Sequence, residues 1–88
     1  MDMRVLVGEN VRRVRQGCGL TQEQFAEISG FSQQYISGLE KGRRNPTIVT
    51  VYELATALGV SHLDLLQMPR QSGPVEGKAK KPSAKVTI

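Results

Sequence analysis

Cysteine is nearly missing from this chain. Cys18 stands alone among 88 residues, which excludes an internal disulfide and any metal site built on paired cysteines. A reducing cytoplasm is therefore the expected setting. Histidine is as scarce: His62 is the only one, so the chain has no metal-ligand set and no nucleophile in a recognisable motif, and neither metal nor cofactor is expected. No apolar run approaches the ~20 residues that cross a bilayer, and the opening MDMRVLVGEN lacks the pattern of a secretory signal. No membrane partner is expected. A chain this short buries only about 60% of its unfolded surface. It has room for one core and little for a substrate cleft, so an enzyme is not expected. No internal repeat is visible.

What charge there is sits unevenly. The net charge is +4, yet between Met1 and Met68 the basic residues Arg4, Arg12, Arg13, Arg15, Lys41, Arg43 and Arg44 are cancelled by Asp2, Glu9, Glu23, Glu27, Glu40, Glu53 and Asp64. The excess lies in residues 69–88, where Arg70, Lys78, Lys80, Lys81 and Lys85 face only Glu76. That segment also carries Gly73, Pro74, Gly77 and Pro82 and almost nothing apolar before Val86, the composition of a disordered basic tail. The pattern before residue 69 must carry the argument about function.

That pattern predicts five helices. Val7, Val11 and Val14 make one apolar stripe on a helix from about Val5 to Gln16, stopped by Gly17 and Gly19. Thr21 and Gln24 form a capping box, with Leu20 and Phe25 as its hydrophobic staple, so a second helix runs from there to about Ser29 and ends at Gly30. Ser32 caps a third, Gln33 to about Lys41, with Phe31 and Ile36 placed as a second staple. Gly42 and Arg43-Arg44-Asn45-Pro46 follow as a loop. Thr47 caps a fourth helix with Ile48, Val51, Leu54, Ala55 and Leu58 inward and Gly59 at its end. Ser61 caps a short fifth with Leu63 and Leu66 inward, and Pro69 closes the ordered part.

The second and third helices, joined by a short glycine turn, have the make-up of a helix-turn-helix over 21–41. The close crossing needs a small residue, Ala26; the turn needs positive φ, Gly30; the gap beneath the third helix needs Ile36 and Leu39. A plain αα-hairpin without a DNA role is the alternative reading of these residues.

Over about Val7 to Leu66 the chain resembles the Cro and phage-repressor helix-turn-helix regulators, the XRE family, in the segments GENVRRVRQGCGLTQEQFAE, YISGLEKGRRNP and LATALGVS. The resemblance implies an all-α five-helix bundle in residues 1–68, with recognition helix 33–41 and the tail at 69–88. It also implies a homodimer on a palindromic operator in double-stranded DNA; regulation of transcription is the expected role, by repression ahead of activation.

In the major groove, residues near the start of such a helix meet base edges. Gln33, Gln34, Ser37, Gly38 and Lys41 are offered there, while Ile36, Leu39 and Glu40 turn inward; Ser32 and Tyr35 complete the DNA-contacting set. Glutamine pairs bidentately with adenine, so Gln33 and Gln34 are expected to read sequence. Gln22 and the free N–H groups of its helix suit a phosphate, and Arg43 and Arg44 suit the flanking backbone. Gly38 departs from the longer polar residue common in the family. The resemblance also implies a partly buried Arg15–Glu40 salt bridge that orients the third helix.

Cys18 is expected to fill space beside the first turn, and His62 to be a surface histidine near the family's dimer contact. A second class of function stays open: an antitoxin or coactivator that engages a protein partner through residues 69–88, where Val86-Thr87-Ile88 could extend a partner's sheet. The lysines of that segment are also suited to phosphates.

Overall fold

Each helix starts where a short oxygen-bearing side chain can take over an amide that the first turn leaves unbonded. The computed structural model describes residues 2–68. Asp2 accepts from the Arg4 amide and begins α1, Met3–Gly17, about two residues earlier than the valine stripe suggests. Thr21 begins α2, Gln22–Ser29, through a complete capping box: Gln24 N donates to Thr21 Oγ1 at 3.0 Å and Thr21 N to Gln24 Oε1 at 2.9 Å. Ser32, Thr47 and Ser61 likewise cap α3 (Gln33–Glu40), α4 (Ile48–Leu58) and α5 (His62–Leu66). The described residues hold no strand and form an all-α bundle of five helices.

α1 packs on α3 and α5, α2 on α3 and α4, and α4 on α5. The core they share is Val7 and Val11 from α1, Phe25 from α2, Ile36 and Leu39 from α3, Val51, Leu54, Ala55 and Leu58 from α4, and Leu65 from α5. Spacings of three and four put each set on one side of its helix. Phe31 packs on the same cluster.

Two close contacts on α1 hold the bundle's ends. A methyl group at Gly8 would overlap the Leu39 carbonyl oxygen, so only glycine lets α1 approach the end of α3 this closely. Fully buried Asn10 donates from Nδ2 to the carbonyls of Leu65 and Gln67, both at 2.9 Å, and so ties down the C-terminal end of α5.

Three expectations need correction. Ile48 is 63% exposed: it fits the inward spacing of α4 but occupies the first helical position, beyond the edge of the core. In α5 the core residue is Leu65, fully buried, while Leu63 is 61% exposed; one and a half turns are too few for spacing to reveal the buried side. Cys18 is exposed at the end of α1, its Sγ 3.7 Å from the Leu58 carbonyl, and fills no interior space. The expected disordered tail, 69–88, and the partner and phosphate roles assigned to it lie outside the described residues. Among those described, no helix is long and apolar enough to cross a membrane.

Candidate nucleic-acid interface

The turn between α2 and α3 follows from its residues. Gly30 takes φ 84, which side-chain-bearing residues rarely adopt, and its N–H donates to the Ala26 carbonyl at 3.0 Å. One residue later the chain reaches Ser32, whose Oγ accepts from the Tyr35 amide at 3.0 Å; this serine hydroxyl is used in starting α3. Ile36 and Leu39, with no exposed surface, then lock the inner side of α3 into the core.

Locking the inner side leaves a defined outer one. Gln33, Ser37 and Lys41 follow one another at steps of four, and Gln34 and Gly38 form the adjacent row. With Arg43 and Arg44 from the following loop, these seven residues line one concave depression. No acidic residue lines it, and three of its members carry positive charge. An outward polar helix flanked by cations is suited to a groove walled by phosphates.

Four side chains connect this outer side to the interior. Arg15 Nε donates to Glu40 Oε2 at 2.6 Å and Arg15 Nη2 to Glu40 Oε1 at 3.0 Å, an ion pair whose side chains are only 9% and 4% exposed. The third Arg15 donor, Nη1, reaches the Leu20 carbonyl at 2.7 Å. Glu40 Oε1 also accepts from Gln22 Nε2 at 3.1 Å, and Gln22 Oε1 accepts from Gln33 Nε2 at a long 3.4 Å. The buried pair thus steadies Gln22, and Gln22 steadies a residue on the outer side. Sequence reasoning missed this use of Gln22. Residues 22 and 40 meet only once α2 and α3 have crossed, and no local pattern marks the pair.

Tyr35 is half-buried, stacked on Phe31 with ring centroids 5.1 Å apart. The Arg44 guanidinium lies over the Tyr35 ring, 5.4 Å from its centroid. Burial pushes the Tyr35 hydroxyl's pKa up, and the charge of Arg44 opposes that only in part, so the phenol is neutral at physiological pH. The Arg43 amide donates to the Gly38 carbonyl at 2.9 Å, which folds the loop back against the end of α3. Gln34, Lys41 and Arg43 are exposed, and Ser37 and Gly38 partly so. His62 lies away from this surface, its ring 6.0 Å from that of Tyr52. Among the described residues no group of three or more His, Cys, Asp or Glu side chains could hold a metal ion.

Residues 11–65 match the family described as helix-turn-helix. Over 66 residues the chain is 65% identical to an HTH-type transcriptional regulator of Sinorhizobium fredii, y4dJ, covering 75% of this chain and 86% of the relative. It is 46% identical over 66 residues to the control protein C.SmaI of Serratia marcescens, covering 75% and 79%. Among solved structures it resembles the restriction-modification controller protein C.Esp1396I, crystallised as a tetramer in complex with its natural 35 base-pair operator. There the TM-score is 0.68 at 31% identity, over 74% of this chain and 86% of that one.

Proposed function

Since this chain belongs to the helix-turn-helix family and is a transcriptional regulator of that type, we propose that it binds a palindromic operator as a homodimer, one α3 per half-site, and represses transcription by occupying it. The outer side of α3 carries this reading: a polar depression free of acidic residues, on a helix whose inner side is immobilised by Ile36, Leu39 and the Arg15–Glu40 pair. A major groove about 12 Å wide admits such a helix. Gln33 and Gln34 read adenine edges, Gln33 from a position steadied by Gln22. Ser37 and Lys41 lie further along the same groove. The first-turn amides of α2 and the Arg43 guanidinium hold phosphates and set the register.

One α3 contacts too few base pairs for useful specificity, so two copies are needed. Exposed apolar side chains on α4 and α5 are suited to join them: Val49 and Tyr52 on α4 and Leu63 and Met68 at α5 are each about 60% exposed, and a second copy would cover them. Operator binding by the C.Esp1396I tetramer supports assembly on DNA as the working state.

Selection of bound sequences from random DNA, followed by sedimentation of the protein with the selected site, tests the reading. Two chains per inverted repeat, with half-sites about one helical turn apart, is the expected result. A persistent one-to-one complex on a site without symmetry would overturn it.

A further inference from the structure

Gly38 leaves a notch in the middle of the recognition face, and the structure shows what lies in it. A methyl group built on Gly38 would sit 3.1 Å from Arg44 Nε, 3.5 Å from its Cγ and 3.7 Å from its Cδ. The Arg44 stem therefore runs across α3 at the place where a side chain at position 38 would stand. Its guanidinium ends over the Tyr35 ring, 5.4 Å from the centroid.

The sequence pairs Arg44 with Arg43 as two equivalent phosphate clamps, but their positions differ. Arg43 is bound to α3 through its backbone amide. Arg44 instead lays its side chain over Gly38, which follows Gln34 by one turn on the same side of the helix. A cation over an aromatic ring is held by its charge and leaves its N–H donors free. Among the described residues no Arg44 nitrogen is spent on a hydrogen bond or an ion pair to a carboxylate. A rigid fork of free donors, carried on the recognition face, matches the O6 and N7 acceptors of guanine.

We propose that Arg44 reads a base: it supplies from the loop the side chain that Gly38 lacks, with Tyr35 as its platform, and selects a guanine in each half-site beside the base read by Gln34. This rests on the reading that α3 enters the major groove. Glycine at 38 then has a function. It trades helix propensity for room to admit a longer, always-charged donor from outside the helix.

The test compares base preferences selected from random DNA by the full chain, Arg44→Ala, Arg43→Ala and Gly38→Leu, each shown to be folded by circular dichroism. The unaltered protein is expected to select one guanine per half-site that Arg44→Ala no longer selects, a loss of about 5- to 150-fold in discrimination at that position alone. Arg43→Ala removes the same charge and is expected to keep the guanine. Gly38→Leu keeps Arg44 and every charge but fills the notch. It is expected to lose the same guanine preference, with a thermal midpoint unchanged or raised. A merely structural role for Gly38 or Arg44 would not move one base preference while sparing the rest.

If Arg44→Ala retains every preference, or weakens specific and random DNA alike, Arg44 is a backbone contact and the proposal is overturned. Loss in Arg44→Ala without loss in Gly38→Leu would overturn the placement through the notch. Failure of the unaltered protein to select any sequence would instead defeat the groove-binding reading itself, and this inference with it.

Discussion

α3 and α4 are built by the same local rules and end with opposite surfaces. Each starts at a hydroxyl cap, Ser32 or Thr47, and each is followed by a glycine of positive φ, Gly42 or Gly59. Each contributes to one core, Ile36 and Leu39 from α3 and Val51, Leu54, Ala55 and Leu58 from α4. Outward, α3 shows Gln33, Gln34 and Lys41, whereas α4 shows Ile48, Val49 and Tyr52. The core is built from the inner residues, so the outer ones between the caps are free to be specialised. A polar, cationic exterior is suited to a groove between phosphates, and an apolar one to the surface of another protein.

The largest expected effect falls where the outer side of α3 is tied to the interior. Glu40→Ala leaves the Arg15 guanidinium buried without its partner and is expected to cost about 3–5 kcal/mol, measured by urea unfolding. Replacing both, Arg15→Met with Glu40→Leu, is expected to restore most of that stability, since two apolar side chains need no partner. Sequence preference should not return, because Gln22 and Gln33 have lost their anchor. An unchanged unfolding midpoint in Glu40→Ala would show that the pair holds nothing in place.

On the α4 side, Tyr52→Asp places a charge in the surface assigned to the second copy. Loss of that side chain's burial is expected to weaken self-association by about 3 kcal/mol. Sedimentation should then find single chains at concentrations where the unaltered protein is paired, while circular dichroism stays the same. Pairing that survives would move the dimer contact elsewhere.

Smaller effects separate the residues within the recognition face. Gln34→Ala is expected to lose about 1–3 kcal/mol on the selected site and to relax one base position. Arg43→Ala should lower affinity for selected and random DNA by similar factors and reduce the slope of log affinity against log salt by about one. The division of the recognition face into base-reading and phosphate-holding residues fails if the two variants behave alike across a salt series.

The smallest effect is expected at the start of α1, where both groups are exposed. The Asp2 carboxylate accepts hydrogen bonds from the Arg4 side chain and amide, which hold its pKa below the ordinary value of 3.8. A depressed folded-state pKa contributes stability above that ordinary value and loses it as pH falls through the depressed one. Asp2→Asn should therefore flatten stability against pH slightly below 3.8, and leave the profile near neutrality almost unaltered. A difference between the two proteins that is largest at low pH and disappears above 3.8 would contradict this account.

Much of the architecture is legible because its signals span four residues or fewer. Thr21 with Gln24, Gly30, Ser32, Thr47, Gly59 and Ser61 each mark a helix boundary through bonds to their immediate neighbours. Where those signals run thin the reading slips. Ile48 obeys the inward spacing yet lies past the core's edge, and five residues of α5 allow either Leu63 or Leu65 to be the buried one. Of the recognition face, the outward placement of Gln33, Gln34, Ser37 and Lys41 follows from helical spacing with Ile36 and Leu39 in the core. The engagement of Gln22 with Glu40 does not, nor does the course of the Arg44 side chain.

The sequence by itself determined which segments are helical, where the turn between α2 and α3 falls and which chemistry is available on α3, because backbone caps, positive-φ glycines and apolar spacing are satisfied within a turn or two of chain. Tertiary structure alone decided the rest. Gly8 meets Leu39, Asn10 holds Leu65, Gln22 reaches Glu40, and Arg44 fills the space above Gly38 beside Tyr35. Three of those four contacts join different helices, and the fourth brings a loop back over the helix before it. Their geometry depends on how closely the helices cross and where the loop returns, quantities set by the packing of the whole core and by no short run of residues.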